Sequence, residues 1–147
     1  MGPNMIDQYL EDPPETVLRT SSFFLQTSMI VSIVDDDEHV RLATCNLLRS
    51  LGCDVRAYSS AEAFLDSGRL GDVGCVISDV QMPGMGGIEM QRKLNEMNAA
   101  LPIIFFSAFD SNATRTEALD NGALCFLDKP LNGDAVLACL EGLGHTR

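Results

Sequence analysis

Five short runs of mostly apolar residues recur between segments of helical periodicity, and this alternation constrains the fold of the chain more than any other feature. The runs are Met29–Val34, Asp54–Tyr58, Val73–Ser78, Ile103–Phe106 and Leu124–Leu127. A strand with one face in water alternates polar and apolar side chains, whereas a strand covered on both faces does not. Between the runs lie Glu38–Leu51, with Val40, Ala43, Leu47 and Leu51 on one face and Gly52 as a stop, and a short helix opened by the capping box Ser59-x-x-Glu62. Ile88–Met97 follows, with Ile88, Gln91, Leu94 and Met97 at helical spacing, then Asn112–Asn121 before Gly122, and Leu131–Leu143. Strands alternating with helices predict an α/β fold with a parallel sheet buried on both faces. Right-handed crossovers limit its topology to a few doubly wound arrangements.

Such a sheet needs one domain, and 147 residues with 46% hydrophobic content supply it. The formal net charge of −11 argues against direct binding to nucleic acid or an anionic membrane, which require clustered Lys and Arg. No stretch approaches the roughly 20 apolar residues that span a bilayer. Residues 1–20 lack the basic and apolar regions of a signal peptide, so the expected compartment is the cytoplasm. Five cysteines, none in Cys-x-x-Cys spacing, are expected to be reduced core residues. Residues 1–28 read as an N-terminal extension or tail: Asp12-Pro13-Pro14-Glu15 breaks any regular element, Met5–Leu10 and Val17–Leu25 could form helical turns, and Phe23, Phe24 and Leu25 would seek an apolar surface.

The carboxyl ends of the runs carry the chemistry. The first ends in Asp35-Asp36-Asp37, the third in Asp79, the fourth in Ser107-Ala108 and the fifth in Asp128-Lys129-Pro130. In doubly wound sheets these ends converge on the ligand-binding edge. Carboxylates about 4 Å apart repel by about 4 kcal/mol at an effective dielectric near 20, so the cluster demands a cation. Lys129 is one, and Mg²⁺, which takes oxygen ligands from one or two carboxylates, is the other. A carboxylate nucleophile, a metal, a hydroxyl and a fixed positive charge are what phosphoryl transfer needs. Taken singly, an acidic triplet is usually a solvated loop and a terminal Asp a turn cap; four such features at four strand ends point to a site.

Residues 29–143 resemble the receiver domain of two-component response regulators, most closely receivers that precede helix-turn-helix output domains in transcription factors. The resemblance is carried by Ile33-Val34-Asp35-Asp36, Asp79-x-x-Met82-Pro83 with Gly87 eight residues after the aspartate, Ser107-Ala108 and Lys129-Pro130. It implies a flavodoxin-like five-stranded sheet of order 2-1-3-4-5 with five helices, and a receiver domain over 29–147. It further implies that Asp79 is the phosphoacceptor, charged by a sensor histidine kinase, and that the domain catalyses only its own phosphorylation and dephosphorylation. Asp36 is similar to the direct Mg²⁺ ligand and Asp35 to one acting largely through water; Asp79 and the backbone carbonyl of Gln81 complete the set. Ser107 and Lys129 resemble the pair that contacts the phosphoryl oxygens, and Lys129-Pro130 would be a cis peptide. Phe126 sits where the family carries its switching aromatic. The fourth helix, fifth strand and fifth helix would form the output surface, used for partner binding or a homodimer through Arg115, Leu119 and Asn121.

The leader is not part of that pattern and no output domain follows Arg147, so the chain is expected to be a stand-alone receiver or a fragment of a longer regulator. His39 and His145 are expected to be surface residues rather than relay histidines. An alternative from another class is a haloacid-dehalogenase-like phosphatase using Asp35 as nucleophile. Against it, His39 stands where that family needs Thr or Val, and Asp134 and Glu141 are the only late acids. A flavin carrier on the same fold would need a phosphate loop where three aspartates stand.

Overall fold

A computed structural model describes residues 29–99, 101–108 and 111–145, and the readings made for residues 1–28 lie outside them. The elements run β1 (Ile30–Val34), α1 (Glu38–Ser50), β2 (Asp54–Tyr58), α2 (Ala61–Leu65), β3 (Cys75–Asp79), α3 (Gly87–Glu96), β4 (Ile103–Ser107), α4 (Asn112–Asp120), β5 (Cys125–Asp128) and α5 (Gly133–His145). The five strands form one parallel sheet of order β2-β1-β3-β4-β5. This is the doubly wound arrangement expected, with the order reversing direction after β1.

Every residue of β3 and β4 is buried, whereas the edge strands β2 and β5 are partly open. One core layer joins Val31, Ile33, Ile77, Ile104 and Phe106 to Cys45 and Leu48 of α1 and Val136 and Leu140 of α5. The other joins Val76 and Phe105 to Phe64 of α2, Met90 and Leu94 of α3, Ala118 of α4 and Phe126 of β5. Phe64, Phe105 and Phe106 are wholly enclosed, and each such burial contributes about 1.5–3 kcal/mol.

Several local readings are corrected. The cap of α2 is Ser60, which accepts the Ala63 N–H at 3.0 Å. Ser59 is not the cap, and the Glu62 carboxylate accepts the Met85 N–H in the loop after β3 instead of closing a capping box. The face of α1 is turned from the expected one, burying Thr44, Cys45 and Leu48 while Ala43 is exposed. On α3 the inward set is Gly87, Met90, Gln91 and Leu94, and Met97 is 54% exposed. Helical spacing identifies a stripe, but the docking angle on the sheet decides which of its neighbours turn inward. The last helix begins at Gly133 rather than Leu131, with Asn132 Oδ1 accepting the Asp134 and Ala135 N–H groups at 2.7 and 3.1 Å. Three cysteines are buried free thiols as expected, but Cys125 and Cys139 are joined in a disulfide, their Cα atoms 6.5 Å apart. Spacing along the chain does not reveal that α5 folds back over β5.

Candidate functional site

The parallel register brings the functional residues to one edge. Val34 pairs with Ser78, Asp79 with Phe106 and Ser107 with Asp128, so the residues that end each strand emerge side by side. Asp35 follows β1 directly and its N–H is held by the Tyr58 carbonyl at 3.1 Å. The acidic triplet divides into three roles. Asp35 is fully buried and its Oδ1 accepts the Asp37 N–H at 2.9 Å. Asp36 is exposed above it. Asp37 is the N-cap of α1, accepting from His39 N at 2.9 Å and Val40 N at 3.2 Å.

Asp79, 7% exposed, ends β3 at the floor of the mouth. Oxygens of Asp35, Asp36 and Asp79 all lie within 4.8 Å of one another. Lys129 reaches into the group, with Nζ 3.0 Å from Asp79 Oδ2 and 3.5 Å from Asp35 Oδ2. Its ammonium also stands 4.9 Å from the centre of the Phe106 ring, whose face attracts a cation. The Lys129 N–H bonds the Ser107 carbonyl at 3.0 Å, which ties the lysine's backbone to the end of β4. The Lys129-Pro130 peptide is cis, as the resemblance implied.

Electrostatics follow from this packing. Burial raises the Asp35 carboxyl above its ordinary range, opposed by the Asp37 N–H and the Lys129 charge and reinforced by Asp79 and Asp36. Burial alone would lower Lys129, but its hydrogen bond to Asp79 and the charges of Asp79 and Asp35 outweigh it, so its affinity for a proton rises. Asp35 Oδ2 is a buried oxygen without a hydrogen-bond partner. Its only close cation is Lys129, at ion-pair rather than hydrogen-bond distance, and beside the Asp36 and Asp79 carboxylates it completes a hard-donor set that fits Mg²⁺.

The loop 80–86 carries Gln81 and is shaped by close contacts. The Gln81 N–H reaches Asp79 Oδ1 at 3.4 Å, and the Gly87 N–H bonds the Val80 carbonyl at 2.9 Å. A Cβ on Gly87 would stand 2.5 Å from the Asp79 carbonyl oxygen and 2.9 Å from Phe105 Cε1, which explains a glycine there. Gly84 turns the loop at φ +74°, with the Glu62 carboxylate against it, and Glu62 Oε2 accepts the Met85 N–H at 3.0 Å.

Phe126 is 6% exposed and lies 6.3 Å from Phe105 between ring centres. Arg115 of α4 covers it: the guanidinium sits 4.7 Å over the ring, donates to the Phe126 carbonyl at 3.0 Å and pairs with Asp128 at 3.4 Å. Ser107 is buried at the end of β4.

The structure thus gathers Asp35, Asp36, Asp79 and Lys129 and places Ser107 on the adjoining strand end. Sequence reasoning missed the Glu62 contact with the loop after β3, the Arg115 cover, and Arg41, whose guanidinium donates to the Asp35 carbonyl at 2.8 Å. Only Asp37 carried a readable signal, as an acid directly before a helical pattern. Beside the mouth, a cavity of about 500 Å³ is lined by Val40, Ala43, Leu47, Phe106, Pro130 and Leu131, with His39, Thr44 and Lys129 at its polar parts. Among the described residues no helix is long and apolar enough to cross a membrane.

A model of the response regulator receiver domain matches residues 31–141. Transcriptional regulatory protein FixJ of Azorhizobium caulinodans is 38% identical over 114 residues, covering 78% of this chain and 54% of that protein. Response regulator protein TmoT of Ectopseudomonas mendocina is 42% identical over 113 residues, covering 76% of this chain and 51% of that protein. The chain spans about half the length of the curated relatives it matches. Among solved structures, the crystal structure of FixJ-N superposes with a TM-score of 0.71 at 32% identity, covering 80% of this chain and 94% of that one.

Proposed function

The chain belongs to the response regulator receiver domain family, and from that membership we propose that Asp79 accepts a phosphoryl group from a sensor histidine kinase. The observation that carries this is the ammonium of Lys129, 3.0 Å from Asp79 Oδ2 inside a cluster of three carboxylates. An Asp79 oxygen attacks phosphorus as the bond to the kinase imidazole breaks; the ring nitrogen leaves and Asp79 keeps the group as an acyl phosphate. Lys129 neutralises phosphoryl oxygens as charge gathers on them, and the Ser107 hydroxyl donates to one of them. Asp35, Asp36, Asp79 and the Gln81 carbonyl would hold Mg²⁺, which when bound supplies charge neutralisation between nucleophile and phosphoryl oxygens.

Phosphorylation adds up to two negative charges at Asp79. Ser107 is then drawn toward the new oxygens, which opens space that Phe126 can enter by changing rotamer. The Arg115 cover would have to reorganise, and the surface of α4, β5 and α5 would shift between two packed arrangements. That surface would serve partner binding or a homodimer, with Leu119, 44% exposed, as its apolar element. Residues 29–147 would form the receiver, acting in a cytoplasmic transcriptional response and regulating an output rather than binding DNA itself. The phosphatase alternative is less well supported, because Asp35, its nucleophile, is wholly enclosed whereas Asp79 keeps some exposure at the mouth.

The test is labelling by acetyl phosphate with Mg²⁺. Wild-type protein should take up label and Asp79→Asn none, while circular dichroism stays unchanged. Acid-labile label undiminished in the mutant would mean that another residue is the acceptor.

A further inference from the structure

We propose that Cys125 and Cys139 form a reversible dithiol–disulfide site through which a thiol-based redox partner sets how firmly α5 is held to β5. Cys125 begins β5, directly before Phe126, and Cys139 lies at the middle of α5 on its inward face, packed with Val136 and Leu140. Cys125 is half-buried whereas Cys139 is enclosed, which makes Cys125 the more approachable end of the bond. The linked cysteines are 14 residues apart, and the segment between them carries Lys129 and Pro130. A cross-link there restrains one wall of the candidate site and one flank of the output face together.

The fold does not depend on the bond. α5 is also held through Val136, Leu137, Leu140 and Leu143, and reduced cysteines pack as small apolar side chains. Both redox states can therefore keep the same architecture and differ in how readily α5 opens. The remaining cysteines do not compete. Cys45, Cys53 and Cys75 are buried free thiols; burial pushes the Cys53 thiol up to about 11 and the Cys75 thiol up to about 12, which suppresses their thiolates.

The chemistry balances as thiol–disulfide exchange. A thiolate of an external dithiol attacks the Cys125 sulfur, the bond between the sulfurs breaks, and Cys139 leaves as thiolate and takes a proton. The second thiol of the reductant then attacks the mixed disulfide, releasing Cys125 as a thiol, so two electrons and two protons pass to the protein and the reductant becomes a disulfide. Oxidation by excess oxidised glutathione runs the same exchange in reverse. The consequence for signalling rests on the proposed output surface, but the measurements below do not.

The 147-residue chain is equilibrated with oxidised glutathione or with dithiothreitol, and its thiols are alkylated in denaturant and counted by mass. Three labels are expected after oxidation and five after reduction, matching the three free thiols and five cysteines. Hydrogen exchange on the native forms should show α5 amides opening severalfold faster when reduced. Cys139→Ser should show α5 exchange that no longer responds to either reagent. Five labels after oxidation, equal α5 exchange in the two native forms, or a persistent response in Cys139→Ser would each overturn the proposal. If the count and exchange behave as stated while Asp79→Asn still takes label, only the phosphoacceptor reading fails.

Discussion

Replacing Gly87 with Ala tests whether the site is built by close backbone packing. The added carbon would lie 2.5 Å from the Asp79 carbonyl oxygen, 2.9 Å from Phe105 Cε1 and 3.2 Å from Val80 Cα. An ordinary carbon–oxygen approach is about 3.3–3.6 Å, so the first contact must open by roughly 0.8–1.1 Å. Two of the three opposing groups are backbone, and the third is a ring with no exposed surface, so no flexible side-chain end can yield. Overpacking of this kind costs about 1–3 kcal/mol. Ala gains about 0.5–1 kcal/mol over Gly within a helix, and less at the first position of α3. The net expectation is a loss of about 1–2 kcal/mol, a large share of the 5–15 kcal/mol typical of a domain. Because the displaced carbonyl belongs to Asp79 itself, its carboxylate moves too, and a misplacement near 1 Å costs on the order of 100-fold in rate. Urea unfolding and the acetyl phosphate labelling rate are measured on the same samples. Gly71→Ala is the control, since nothing lies within 4 Å of its added carbon. A Gly87→Ala protein with unchanged midpoint and labelling rate would refute the reasoning.

Asp36→Ala and Asp37→Ala should separate cleanly: the first weakens Mg²⁺ binding by calorimetry at little cost in stability, and the second removes the α1 cap, costing about 1 kcal/mol of stability with Mg²⁺ affinity retained. Equal losses of Mg²⁺ affinity would show that the acidic pair is misassigned. Glu62→Ala should free the Met85 N–H and lower Mg²⁺ affinity severalfold through the loop that carries Gln81, while Glu62→Gln, which keeps an accepting oxygen, should restore most of it. Ser107→Ala should accept label yet show weaker beryllofluoride-induced chemical shifts across residues 115–127. Shifts confined to the surroundings of Asp79 in the wild type would remove the support for α4, β5 and α5 as output surface.

Much of this protein could be read from the order of its residues because the relevant signals are local. Apolar runs without polar alternation mark strands covered on both faces, and the doubly wound class follows from their alternation with helical stripes, so Asp35, Asp79, Ser107 and Lys129 could be assigned to one edge before any coordinates. The strand order itself entered through a family resemblance, since hydrophobic pattern alone leaves several wound topologies open. The capping misreading at Ser59 shows where local signals stop: Glu62 suits a capping box, but a partner 23 residues away, the Met85 N–H, holds its carboxylate.

By itself, then, the sequence determined the class of fold and which acids and which lysine lie at the ends of strands, because periodicity and chain position are properties of neighbours. Only the tertiary structure decided the division of labour among Asp35, Asp36 and Asp37, since burial and capping depend on what packs above each carboxylate. It likewise decided the Arg115 cover over Phe126 and the Cys125–Cys139 link. Both join elements whose contact is set by the angle at which a helix docks on the sheet, which no local pattern encodes.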